Sequence, residues 1–117
     1  MKKLSMGLVA IIVALASNWA PAQNYPSHPI KLVVPFAPGS ATDSAARIVA
    51  QALGDRLKQS IVVENHAGAS GIIAAELVTN SMPDGYTLFM TTNTTHSANP
   101  SLFKTLPYDP IKGFAPA

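Results

Sequence analysis

From residue 30 to residue 91 the sequence alternates between strand patterns and helix patterns. Short runs rich in β-branched and apolar residues lie at 30–36, 61–65 and 86–91. Between them, at 45–57 and 71–82, apolar residues recur every three or four positions, as on one face of a helix. Strands joined in this way by helices and short connections form right-handed βαβ units. The predicted fold class is therefore α/β, with helices packed on a parallel sheet.

The start of the chain has the composition of a secretory signal peptide. Lys2 and Lys3 form a charged beginning, residues 6–16 are apolar, and residues 20–22 (Ala-Pro-Ala) supply the small side chains that a signal peptidase recognises. The apolar run is about half of the ~20 residues that a membrane-spanning helix needs, so no stable membrane anchor is expected. A twin-arginine pair is absent, which favours the general export route. We expect cleavage before Gln23 and delivery outside the cytoplasm.

The charges of the chain exclude one large class of function. The eight Lys and Arg outnumber the six Asp and Glu, but two of the lysines belong to the signal segment. Residues 23–117 therefore carry six basic and six acidic side chains. Nucleic-acid binding requires a basic face against the phosphates, and we expect none here.

Metal, cofactor and catalytic motifs are also missing from the sequence. Without Cys there is no disulfide, thiolate metal site or Cys nucleophile, and the histidines at 28, 66 and 96 lie far apart. Neither small-residue loop continues as a P-loop or as a dinucleotide fingerprint. Ser70 does not lie in a nucleophile elbow, because that motif (G-x-S-x-G) needs a glycine at the position of Ile72. We expect no metal, no cofactor and no catalytic residue.

Three loops of small and polar residues follow the predicted strands, at 37–43, 66–71 and 93–96. In an open parallel sheet, ligands bind beyond the carboxyl ends of the strands. The first two loops lead into helix N-termini, where free N–H groups and a positive dipole suit a carboxylate. The sequence predicts an anion site at this edge, and His96 is the histidine placed on that side.

A purely structural interpretation of the same residues remains open. Ser40 and Asp43 have capping-box spacing, so Ser40, Thr42 and Asp43 can serve as helix caps, and the glycines can serve tight turns. A bare carboxylate at Asp43 would repel an anionic ligand, whereas it favours the dipole of the helix that follows. For Asp43 we therefore favour capping over direct ligand contact.

Ordered motifs across residues 25–117 resemble those of the tripartite tricarboxylate transporter receptors, also called Bug-type solute receptors. The motifs are Tyr25-Pro26-Ser27-His28-Pro29-Ile30-Lys31-Leu32-Val33-Val34-Pro35-Phe36, Pro38-Gly39-Ser40-Ala41-Thr42-Asp43, Val63-Glu64-Asn65, Gly68-Ala69-Ser70-Gly71, Pro83-Asp84-Gly85-Tyr86-Thr87-Leu88, Asn99-Pro100-Ser101-Leu102 and Leu106-Pro107-Tyr108-Asp109-Pro110. The resemblance implies a periplasmic binding protein of the Venus-flytrap type, in which two α/β lobes close on a small carboxylated ligand. It also implies delivery of that ligand to membrane permease subunits.

The resemblance further implies which residues contact the ligand. The first two loops would hold a carboxylate through backbone groups and ordered waters, and side chains of the third loop would reach the ligand. The implied ligand-binding residues are Gly39, Ser40, Thr42, Asp43, Gly68, Ala69, Gly71, Asn93, Thr94 and His96.

The expected domain organisation combines the residue patterns with this resemblance. Residues 1–22 are the signal peptide, 23–29 an extended lead-in with two prolines, and 30–117 part of the N-terminal α/β lobe. Three strands leave open sheet edges, and family members are much longer, so the second lobe is expected to be absent from this chain, as in a truncated copy. The alternative function is an extracytoplasmic sensor or enzyme module on the same scaffold.

Overall fold

The computed structural model of the chain describes residues 24–117, so the predicted signal segment, 1–22, lies outside the described residues. The elements follow in chain order and include one 3₁₀ turn and one π-helical turn. They are β1 Ile30–Val34, α1 Ala41–Leu57, β2 Ile61–Asn65, the 3₁₀ turn Ala69–Gly71, α2 Ile72–Thr79, β3 Thr87–Phe89, the π-helical turn Thr94–Ala98 and α3 Asn99–Leu102. Each helix in the described part of the chain is too short or too polar to cross a membrane.

The strands form one parallel sheet in the order β2-β1-β3, which confirms the predicted α/β class. The central strand β1 is apolar because both of its faces are covered. Leu32 and Val34 pack against Ala46 and Ala50 of α1. Val33 alternates to the opposite face, where α2 contacts β1 and β3, and is fully buried. The observed parallel sheet, with helices on both faces of its central strand, is the arrangement that the strand and helix patterns predict.

Helix α1 begins where the capping signal predicts. Ser40 has an extended backbone, and its Oγ accepts a hydrogen bond from the Asp43 N–H at 3.1 Å. Ala46 and Ala50 face the sheet, and their small side chains let the helix axis lie close to the strands. The helix ends at Leu57, followed by Lys58 in the left-handed region.

Three boundaries differ from the sequence prediction. Helix α2 is shorter than the predicted 71–82, because the chain turns at Asn80 and Ser81, whose N–H groups bond back to Glu76 and Val78. Strand β3 keeps only the residues that pair with β1, not the predicted 86–91. The sequence predicts a loop in the polar stretch after Thr92, whereas the structure is helical there. Pro100 lies in the first turn of α3, a position that tolerates proline.

The lead-in before β1 is tied to the turn that precedes β3. The Tyr25 hydroxyl donates to the Gly85 carbonyl at 2.6 Å, and the Ser27 N–H donates to the Tyr86 hydroxyl at 2.8 Å. The His28 ring stacks on Tyr86 with centroids 3.6 Å apart. These contacts lie at the amino end of the sheet, opposite the three loops discussed below.

Candidate ligand-binding site

The loops that follow the three strands meet at the carboxyl edge of the sheet. Gly71, which is buried, lies between Pro35 after β1 and Thr95 after β3. A Cβ atom at Gly71 would lie 3.2 Å from Pro35 Cβ and 2.8 Å from Thr95 Cγ2. The structure therefore brings the predicted loops at 66–71 and 93–96 together beside the residue that follows β1. The predicted loop at 37–43 is connected to the end of β2 through Asp43.

The first loop is built around the buried carboxylate of Asp43, which is 3% exposed. Its Oδ2 accepts hydrogen bonds from the Gly39 N–H at 2.9 Å and from Arg47 Nε at 3.0 Å. Its Oδ1 accepts from Asn65 Nδ2 at 2.9 Å, and the same Nδ2 donates to the Phe36 carbonyl at 3.0 Å. Asp43 thus holds the loop after β1 to the end of β2.

These donors set the charge of Asp43. The Arg47 guanidinium, then the Gly39 N–H and the Asn65 amide, lower the pKa of the Asp43 carboxyl from 3.8 to about 2, although burial acts in the opposite direction. The carboxylate is therefore ionised at neutral pH and is matched by the adjacent Arg47. The Asp43 side chain therefore has a structural role, as favoured from the sequence, but the role is to hold the loop before α1 to the end of β2.

The pKa of Asp43 predicts an acid-sensitive contribution to stability. The folded-state pKa lies below the ordinary value, so the contribution is complete above about pH 4 and is lost as the pH falls towards 2. We expect the difference in melting temperature between the protein and its Asp43→Asn variant, which lacks this titrating group, to shrink over that interval. Thermal unfolding from pH 6 to pH 2 measures it, and a constant difference would contradict the assignment.

The second loop has an unusual backbone. Gly68, Ala69, Ser70 and Gly71 all have positive φ angles, of 134°, 46°, 56° and 81°. Ala69 and Ser70 carry a Cβ in this region, which costs about 1–2 kcal/mol per residue. The turn closes through the Gly71 N–H, which donates to the Gly68 carbonyl at 2.9 Å. Small side chains and a tight left-handed turn here leave the backbone accessible to a ligand.

The third loop packs more of its side chains than the sequence predicts. Thr95 is 1% exposed and bonds to Thr91 and to His96 Nδ1, the latter at 3.0 Å. The His96 ring packs against Phe114, with centroids 4.8 Å apart. Thr94 is half-buried beside Thr92, whereas Asn93 is exposed at the edge of the site. His96 is therefore fixed among aromatic neighbours on the binding side.

Four residues important to this geometry were absent from the predicted site: Arg47, Asn65, Asn99 and Tyr108. Arg47 could have been found, because it lies four positions after Asp43 on a predicted helix. Asn65, Asn99 and Tyr108 occur in the family motifs, but sequence spacing does not reveal their hydrogen-bond partners. Their partners lie 9 to 29 positions away along the chain.

Residues 24–117 contain no group of three or more His, Cys, Asp or Glu residues placed to hold a metal ion. An open cavity of about 740 Å³ lies along the C-terminal half of α1 and strand β2, lined in part by Gly54, Gln59 and Ile61. None of its lining residues belongs to the loops at 37–43, 66–71 and 93–96, so this cavity is not the predicted anion site.

Comparison with known proteins gives one consistent family. The family model described as tripartite tricarboxylate transporter family receptor matches residues 45–117. Among curated relatives, BugT of Bordetella pertussis is 39% identical over 114 residues, which cover 95% of this chain and 35% of BugT. The chain spans about a third of the length of the curated relatives it matches.

Solved structures agree with the sequence matches. The periplasmic binding protein BugD has a TM-score of 0.73 and 40% sequence identity, over 77% of this chain and 30% of BugD. MatC of Rhodopseudomonas palustris, solved with bound malate, has a TM-score of 0.75 and 41% identity, over 79% of this chain and 31% of MatC. The similarity therefore extends from sequence to backbone geometry.

Proposed function

The chain belongs to the tripartite tricarboxylate transporter receptor family, and from this membership we propose that it recognises a small carboxylate as part of an extracytoplasmic solute receptor. The observation that carries the proposal is the meeting of the loops at 66–71 and 93–96 with the end of β1 around Gly71. Malate bound to MatC supports the ligand class, because it is a small dicarboxylate. The activity proposed is capture and release without bond making, so the protein is not an enzyme.

Backbone groups of the first two loops supply the anion-binding chemistry. The first intrahelical bond of α1 joins the Ser44 N–H to the Ser40 carbonyl, so the N–H groups of Ala41 and Thr42 have no intrahelical acceptor. Helix α2 begins at Ile72, and its N-cap residue, Gly71, provides no side-chain cap. Both helix starts carry a partial positive charge that favours a carboxylate.

The carboxylate of Asp43 does not defeat anion binding in this arrangement. Its two oxygens are occupied by Gly39, Arg47 and Asn65, and the guanidinium of Arg47 balances its charge. We assign to Asp43 the task of holding the Gly39 loop in place. The proposed ligand-binding set is Gly39, Ser40, Thr42, Asp43, Gly68, Ala69, Gly71, Asn93, Thr94 and His96.

The proposal includes the organisation and location of the protein. Residues 1–22 direct export to the periplasm, 23–29 form the lead-in, and 30–117 form the first part of an N-terminal lobe. A second lobe, and transfer to membrane permease subunits, belong to the complete receptor. The share of the relatives that this chain covers, about a third, supports that division.

Thermal unfolding with added acids tests the proposed function. We expect the melting temperature of the complete exported receptor to rise when malate, succinate, adipate or citrate is added. Binding to the folded state stabilises it by about 2.7 kcal/mol when the ligand is at 100 times its Kd. Malamide, which has malate's shape without its charges, is the control. No shift with any acid, or an equal shift with malamide, would contradict carboxylate recognition.

A further inference from the structure

A buried polar cluster behind the second loop has no role in the function described so far. It consists of Asn99 in α3 and Tyr108, which are 0% and 7% exposed. Both residues lie outside the proposed ligand-binding set. Because burying polar side chains costs free energy unless they are hydrogen-bonded, their partners indicate what they stabilise.

The hydrogen bonds of this cluster join the third loop to the second. The Tyr108 hydroxyl donates to the Thr95 carbonyl at 2.7 Å and accepts a hydrogen bond from Asn99 Nδ2 at 3.2 Å. Asn99 Nδ2 also donates to the Ser70 carbonyl at 3.0 Å. The Asn99 amide and the Tyr108 hydroxyl together therefore connect the Thr95 carbonyl in the π-helical turn to the left-handed turn at 68–71.

Ser70 is one of the two residues of this turn whose conformation needs such support. Its φ of 56° lies in the left-handed region, where a residue with a Cβ is strained. Strained conformations persist only when the surrounding contacts determine them, and they concentrate at ligand-binding sites. The bond from Asn99 holds the Ser70 carbonyl on the buried side, so the peptide units of the turn keep a single orientation.

We propose that Asn99 and Tyr108 are positioning residues, which hold the left-handed turn at 68–71 in the conformation that binds the carboxylate ligand. Asn99 fixes the Ser70 carbonyl, and Tyr108 fixes Asn99 against the Thr95 carbonyl. The inference rests on the proposed function for the identity of the ligand. The mechanical part, control of the turn by the cluster, is independent of the ligand.

Two matched Tyr→Phe variants of the full-length protein test this inference. Tyr108→Phe removes the hydroxyl that bonds to the Thr95 carbonyl. Tyr25→Phe is the control, because it removes a hydroxyl that bonds to the Gly85 carbonyl at the far end of the sheet. Hydrogen–deuterium exchange is followed at the Gly71 and Ile72 amides, which close the turn through bonds to Gly68 and Ala69. Calorimetric titration with the acid that shifts the melting temperature gives the Kd.

We expect Tyr108→Phe to speed exchange at these two amides and to weaken acid binding, each by about five- to tenfold, the loss that one hydrogen bond accounts for. Tyr25→Phe should leave both values unchanged. Asn99→Asp, which keeps the side-chain shape but not the amide donor, should reproduce the faster exchange.

Unchanged exchange and affinity in Tyr108→Phe would overturn the inference, as would equal changes in Tyr25→Phe. If the unsubstituted protein binds none of malate, succinate, adipate and citrate, the proposed function fails by itself. The exchange comparison needs no ligand, so it then still decides whether the cluster controls the turn.

Discussion

Substitution Gly71→Ala is expected to destabilise the protein by about 2–5 kcal/mol, the sum of backbone strain and overpacking. Gly71 has a φ of 81°, which a residue with a Cβ rarely adopts. The added Cβ would also lie 2.8 Å from Thr95 Cγ2 and 3.2 Å from Pro35 Cβ. Relief of these contacts requires the loops after β1 and β3 to move apart. Urea unfolding monitored by circular dichroism measures the change.

Gly39→Ala is the matched control for this substitution. Gly39 has nearly the same φ, 83°, but no atom lies within 4 Å of the position its Cβ would occupy. Gly39→Ala should therefore cost only the backbone strain, about 1–2 kcal/mol. Equal losses in the two variants would show that the loops do not pack tightly at Gly71. A larger loss for Gly71→Ala shows that the segments after β1 and β3 pack tightly against that residue.

Substitution Asp43→Ala is expected to lower the melting temperature at least twice as much as Ser40→Ala. Ser40→Ala removes one capping hydrogen bond and costs about 1 kcal/mol. Asp43→Ala leaves the Gly39 N–H, one Asn65 donor and the Arg47 Nε–H without their acceptor. Three hydrogen bonds to a charged acceptor are lost, and such bonds contribute more than neutral ones. Thermal unfolding near pH 7 gives both shifts.

Asp55→Ala provides the control for loss of an acidic residue from the same helix. Asp55 is exposed near the C-terminus of α1, where a negative charge opposes the helix dipole, so its removal should not lower the melting temperature. If Asp43→Ala proves no more harmful than Ser40→Ala, Asp43 is only a first-turn residue.

We also expect Asp43→Ala to weaken carboxylate binding, because the Gly39 loop loses its attachment to β2.

The acidic residue at position 43 illustrates how far local patterns lead. Capping-box spacing from Ser40 predicts the start of α1, and the structure confirms the bond from the Asp43 N–H to Ser40 Oγ. The pattern also predicts that an acid belongs in the first turn. It does not predict that the carboxylate reaches back to Gly39 and across to Asn65, because that bond depends on where β2 lies.

The second and third loops show the opposite balance. The sequence predicts a small-residue loop at 66–71, yet not a left-handed turn in which Ala69 and Ser70 share the positive φ of the glycines. A non-Gly residue adopts that conformation only under tertiary restraint, here the packing of Gly71 and the amide of Asn99. The segment after Thr92 was predicted as a loop from its polarity and is helical, with Thr95 and Asn99 buried in a shared hydrogen-bond cluster.

For this protein, residue patterns alone determined the α/β class, the start of α1 and the edge of the sheet at which the three small-residue loops lie. They suffice because strand and helix periodicities and caps are local properties of neighbouring residues. Tertiary structure decided which loops touch, which groups balance the charge of the Asp43 carboxylate and that the turn at Ser70 is left-handed. Those outcomes depend on side chains brought together from residues up to 29 positions apart, whose mutual positions no local pattern specifies.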